Sequence, residues 1–143
     1  MVSSEHILIS IESRHAENIF GGLKHIELRR RMMHVNPGTI ALIYAKLPVG
    51  SIVGRVTIQA IETSSPRTLW KKYGTMCGLD RSEFFDYFTG ARRAFALCLA
   101  GVTRFPHALS LEEIRCLSSE FQPPQFFARL GPQHPLLAAV AAR

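Results

Sequence analysis

Residues 24–31 read KHIELRRR, which sets one carboxylate, Glu27, among a lysine and three arginines. In an extended strand successive side chains point to opposite faces. His25, Glu27, Arg29 and Arg31 then share one face, while Ile26 and Leu28 point inward. A carboxylate flanked by cations is expected to titrate below its ordinary range and to hold the neighbouring guanidinium in one orientation. Arginine's planar fork suits bidentate contact with phosphate. Strict alternation would put Lys24 on the Ile26 side and bury its charge, so its expected place is the turn before the strand, aimed into a cleft. A solvated ladder of alternating charges, worth little to stability, is the other reading of the same pattern.

Further polar groups could complete such a site. Tyr44 lies in an apolar run two residues before Lys46. An aromatic hydroxyl beside a cation can stack a base and position a phosphate, although a core tyrosine with a satisfied hydroxyl is equally compatible. Arg92 and Arg93 follow Gly90 and precede a strand; Arg92 is assigned to the cleft and Arg93 to plain surface charge. Tyr87 is placed at the cleft rim. Gln125 follows Pro123 and Pro124, and its amide is free for a base edge, unless the diproline serves only to extend the tail.

Other chemistries find no support in the motifs. The six histidines form no H-x-x-x-H or H-E-x-x-H pair, so no metal site is expected. Neither a G-x-S-x-G elbow nor a phosphate-binding G-x-x-x-x-G-K-[ST] loop is present. Cys77, Cys98 and Cys116 are odd in number and lack a C-x-x-C spacing, which argues against a disulfide framework or zinc knuckle. Cys98 reads as a small core hydrophobe. A divalent cation carried in by a phosphate substrate stays open; no other cofactor is expected. The net charge of +6, with a pI near 9.7, favours phosphate-rich partners.

The elements that must position these residues follow from the pattern. Residues 6–11 read as a strand with Ile7, Ile9 and Ile11 on one face. Ser13 is expected to cap a helix over 14–20 that buries Ala16, Ile19 and Phe20, stopped by Gly21 and Gly22. Strands are expected over 25–31, 40–48 and 51–62, with a turn at 36–39. Gly54 marks a bulge or a close approach. Ser65 and Pro66 start a helix that ends at Gly74, and Asp80 with Glu83 forms a capping box for the next. Trp70, Tyr73, Phe84 and Phe88 recur at helical spacing and read as core. A strand over 94–105, a short helix after Ser110 and an extended segment at 121–130 close the chain. The apolar tail, residues 134–143, docks or frays.

One domain is expected over 1–143, with its core at about 6–130 and a short tail at 131–143. Long neighbouring strands at 40–62 favour an α+β fold on a curled, barrel-like sheet with helices packed at its ends. The N-terminus lacks a basic region followed by a long apolar run, and no stretch approaches the ~18–20 apolar residues a bilayer span needs. The protein is therefore expected to be cytoplasmic and off the membrane, as a monomer or weak homodimer.

GLKHIELRRR (a G-x-K-x-x-E-x-R pattern), PGTIALIYA, GSIVGRVTI, the helical insert LWKKYG…GLDRSEFFDYFTG, AFALCL and FQPPQFF occur in an order that resembles the ASCH family of the PUA-like superfamily. The resemblance covers roughly residues 6–130. It implies a PUA-like barrel with a cleft between barrel and helices, and a role in RNA metabolism. One branch of that family deacetylates N4-acetylcytidine with a lysine, a threonine and a glutamate. Lys24 matches the lysine, Glu27 stands where the threonine would be, and Glu62 is a candidate for the glutamate.

The expected function is binding of nucleic acid, single-stranded RNA above all, or of a nucleotide. Lys24, Arg29, Arg31, Tyr44, Lys46, Tyr87, Arg92 and Gln125 are the contacts. The alternative is a hydrolase using Lys24 and Glu27 in acid/base work, a metal-assisted single-strand ribonuclease ahead of a modified-pyrimidine amidohydrolase.

Overall fold

The computed structural model describes residues 5–143. The strands are β1 (His6–Ile11), β2 (Ile26–Arg29), β3 (Thr39–Ala45), β4 (Ser51–Ser64), β5 (Ala94–Ser110) and β6 (Phe127–Leu130). The helices are α1 (Ser13–Phe20), α2 (Pro66–Tyr73), α3 (Arg81–Tyr87), α4 (Leu111–Leu117) and α5 (Pro135–Ala141). The strands form one sheet in the order β2-β5-β4-β3-β1-β6. Neighbours are antiparallel except β1 and β3, which run parallel across the α1–β2 connection.

The α+β class is as expected, but the sheet does not close into a barrel. Closure needs a continuous ladder between first and last strands, and the four-residue edge strands β2 and β6 do not pair with one another. The long ladders are interrupted by bulges instead, which bend a strand locally. Register shifts occur between Ile52 and Gly54, Arg55 and Thr57, and Ile58 and Ala60 in the β4–β5 ladder. Gly54 sits at one of them. A Cβ there would lie 2.4 Å from the Thr103 carbonyl oxygen and 2.5 Å from the Phe20 ring, so only glycine fits.

Side-chain parity sorts the core into three clusters. Ile7, Ile9, Ile11, Ala41 and Ile43 face α1, meeting Ala16 and Ile19. Leu8, Leu42 and Tyr44, on the opposite parity, pack beneath α4 and α5 against Ile114 and Leu136. Ile26, Leu28, Ala94 and Ala96 pack against Leu69 of α2 and against Phe84 and Phe88 of α3. Strand β1 is therefore covered on both faces. The tail docks rather than frays: Leu136 is 2% exposed, and His134 Nδ1 caps α5 by accepting from Leu136 N–H.

Several boundaries move. Ser13 does not cap α1; its hydroxyl donates to the Lys46 carbonyl at 2.8 Å, and the N-cap is Glu12 without a side-chain bond. Gly22, at φ +82°, takes the left-handed turn after α1. Strand β2 ends at Arg29 and β3 at Ala45, whereas β4 and β5 run on to Ser64 and Ser110. The Ser65 cap and the Asp80–Glu83 capping box form as read, and Ser110 with Glu113 makes a second box. Among the described residues no helix is long and apolar enough to cross a membrane.

Candidate functional site

The site begins where α1 ends. The Asn18 carbonyl accepts from both Leu23 N–H (2.9 Å) and Lys24 N–H (3.0 Å), which fixes the backbone of Lys24 ahead of β2. Its side chain runs inward past Gly78, where a Cβ would stand 3.2 Å from Lys24 Cδ. The ammonium donates to the Cys77 carbonyl at 2.5 Å and lies 3.3 Å from Glu27 Oε1. Lys24 is 2% exposed. Two of its three protons are thereby engaged, leaving one.

Glu27, at the centre of β2, is held by two cations. Its Oε2 accepts from Arg29 Nη2 at 2.7 Å, and the same Nη2 donates to the Ser10 carbonyl at 3.1 Å. Burial pushes the Glu27 carboxyl up, but Arg29 and then Lys24 oppose this and hold it below its ordinary value. It is therefore ionised at neutral pH. Buried ion clusters of this kind add little net stability because desolvation offsets their attraction. They fix charges in place, and perturbed groups of this sort gather at functional sites.

These groups line a cavity of about 270 Å³ between β1, α1, β2 and α3. Four cations (Arg14, Lys24, Arg29, Lys46) face three carboxylates (Glu12, Glu27, Glu83) around it. Arg14 on α1 and Glu83 on α3 pair at 2.7 Å. Tyr87 also lines it, and its hydroxyl donates to the Leu28 carbonyl at 3.3 Å.

Sequence reasoning missed His15, Arg14 and the second role of Glu83. His15 lies in the cavity wall with its Nδ1 buried and unpartnered, and its Nε2 is 3.5 Å from Arg14. Burial first, and the charge of Lys24 next, lower its pKa, so the ring is neutral at pH 7. The available signal was spacing: His15 stands four residues before Ile19 and hence on the buried face of α1. Glu83 was read only as half of a capping box.

The cavity brings together Lys24, Glu27, Arg29, Lys46 and Tyr87 from the expected set. The others fall elsewhere. Tyr44 is 3% exposed and packs in the core under α4, so its ring is not available to a base. Arg92 and Arg93 are exposed on the loop before β5, outside the cavity. Arg31 lies beyond the end of β2, exposed, with its guanidinium carbon 5.4 Å from the Phe126 ring centre. Gln125 is exposed between two residues tied to the cavity wall, for Ser10 donates to the carbonyls of Pro124 and Phe126. Glu62 is not with Lys24; it accepts from Lys72 at 2.5 Å and from the Tyr73 hydroxyl at 3.4 Å. Among the described residues no group of three or more His, Cys, Asp or Glu could hold a metal ion.

Residues 9–121 match the ASCH domain model. An ASCH domain-containing ribonuclease of Zymomonas mobilis is 32% identical over 118 residues, covering 82% of this chain and 79% of that protein. The crystal structure of ASCH from Zymomonas mobilis superposes with a TM-score of 0.88 at 29% identity over 94% of each chain. Human THYN1 protein, solved with DNA containing 5-methylcytosine, shares the fold at a TM-score of 0.57, with 14% identity over 97% of each chain.

Proposed function

This chain belongs to the ASCH domain family, and we propose that it binds single-stranded RNA at the cavity and cleaves it. The carrying observation is the buried Lys24–Glu27–Arg29 cluster opening on a cavity that also holds a neutral imidazole. The Zymomonas mobilis relative, named a ribonuclease, supports the same reading. Lys24 offers its remaining proton to a phosphate oxygen, and Arg29 adds a fixed positive charge 2.7 Å from Glu27. Preorganised charge of this kind acts most strongly in a water-poor site. Lys46 and Tyr87 extend the contact at the rim.

Glu27 serves as an organiser, since both its oxygens are engaged by cations. His15 is the group in the cavity suited to moving a proton near neutral pH. The saturation of Glu27 also favours a second reading, an RNA binder without turnover.

Labelled single-stranded RNA, single-stranded DNA and duplexes, incubated with and without Mg²⁺ or Mn²⁺, separate these readings. Binding and products are followed in the same samples, beside Lys24→Ala and Arg29→Ala proteins shown to be folded. Cleavage of single-stranded RNA that falls at least about tenfold in both variants is expected. Retention without product would leave the binder. No retention at any salt would remove nucleic acid from the account.

A further inference from the structure

We infer that Arg31 and Phe126 form a second subsite next to Arg29 of the cavity wall, which takes the nucleotide flanking the one held inside. This rests on the reading of the cavity as an RNA site.

The segment that carries Phe126 is fastened to the cavity wall. Ser10, a wall residue, donates its hydroxyl to the Pro124 carbonyl at 2.6 Å and its N–H to the Phe126 carbonyl at 3.2 Å. The Phe126 ring is half-buried, set edge-on to Phe127 with centroids 5.0 Å apart. Two guanidiniums sit over it, Arg29 at 5.2 Å and Arg31 at 5.4 Å. Their separation of two residues puts both on the same face of the strand and its continuation.

The two arginines differ in what remains free. Arg29 is paired with Glu27, which it shares with Lys24, and donates to the Ser10 carbonyl. Arg31 is exposed and makes no ion pair or hydrogen bond among the described residues. A guanidinium resting on an aromatic ring uses its flat face for that contact. Its N–H edge stays available to a phosphate, and its outer face can stack a base. Single strands present such unstacked bases, whereas duplexes do not.

The ledge is short. Phe127 and Arg129 repeat the pairing at 5.6 Å, but Arg129 is bound by Glu5 and by the His34 carbonyl. On this side the next guanidinium resting on a ring is thus already committed to other partners, so the ledge adds one nucleotide to the one held inside, about two in all.

The test measures affinity by fluorescence anisotropy for labelled uridine mono-, di-, tri- and hexanucleotides. The proteins are wild type, Arg31→Ala, Arg31→Lys and Phe126→Leu. The expected result is a gain of about tenfold from mono- to dinucleotide, in the range of one stacked base, and little further gain at three or six. Arg31→Ala should erase that step while keeping mononucleotide affinity, and Arg31→Lys should keep only part of it. Phe126→Leu should erase it and also weaken mononucleotide binding, because the same ring supports Arg29. Equal affinity for one and two nucleotides, or a step that survives Arg31→Ala, would overturn the subsite. Failure of wild type to bind any length would instead remove the RNA reading, and the subsite with it. Arg31 is exposed, so its variants are not expected to disturb the core.

Discussion

Lys24 and Glu27, three residues apart in sequence, bring their charged ends to 3.3 Å in a buried pair that neither could occupy alone. The lysine has no other carboxylate partner among the described residues, and the carboxylate's second oxygen is held by Arg29 at 2.7 Å. The cluster is a single unit, and its members should respond to change as one.

Glu27→Gln keeps the shape and removes the negative charge, leaving two buried cations without their counter-ion. Breaking a buried pair from one side costs about 3–5 kcal/mol. Urea unfolding at pH 7 should show a loss of that order; a loss below about 1 kcal/mol would mean that solvent already screens the cluster.

Stability should fall with acid in two stages. The folded state lowers the Glu27 pKa, so its contribution is present above the ordinary value of 4.5 and is lost as pH drops below it. The folded state also lowers the His15 pKa, so the unfolded chain takes up that proton first as pH falls past 6.5. Denaturation midpoints measured from pH 8 to pH 3 should decline from about 6.5 and more steeply below 4.5. His15→Gln should remove the upper stage alone.

Gly78→Ala tests the passage through which Lys24 enters. The backbone there has φ +75°, and the added methyl would meet Lys24 Cδ at 3.2 Å. The left-handed conformation alone costs about 1–2 kcal/mol for a residue with a Cβ. A lower melting temperature together with weakened RNA binding is expected; unchanged binding would separate the lysine's position from its function.

The Arg14–Glu83 pair, with both side chains about half-exposed, should matter little to folding. Exposed pairs contribute about 0.2–1 kcal/mol. Arg14→Ala is therefore expected to leave thermal unfolding nearly unchanged while lowering RNA affinity, because Arg14 lines the cavity. Equal losses in both measurements would assign it a structural role.

Leu136→Ala checks the docked tail. Truncating a buried leucine typically costs about 2–5 kcal/mol, and Leu136 packs in the cluster with Leu8, Tyr44 and Ile114. A loss under about 0.5 kcal/mol in chemical denaturation would show that α5 is dispensable.

Much of this protein is decided locally. The parity of β2 follows from alternation, so Ile26 and Leu28 go one way and Glu27 the other. The starts of α2 and α3 follow from Ser65-Pro66 and Asp80-Glu83, because caps are satisfied within three residues. Gly54 announced its close approach by being glycine inside a strand pattern.

Parity does not say what covers each face, and that is where the sequence stopped. Tyr44 and Glu27 both sit in strands, yet α4 and α5 bury the first, while β1, α1 and α3 leave a cavity beside the second. Lys24 is buried because a carbonyl from Cys77, 53 residues away, meets its ammonium. His15 joins the site because α1 packs on the sheet face that carries Ile9 and Ile43, and the sheet stays open because its two short edge strands never meet. Each of these depends on contacts between segments distant in the chain, and such contacts are fixed only when the whole core packs.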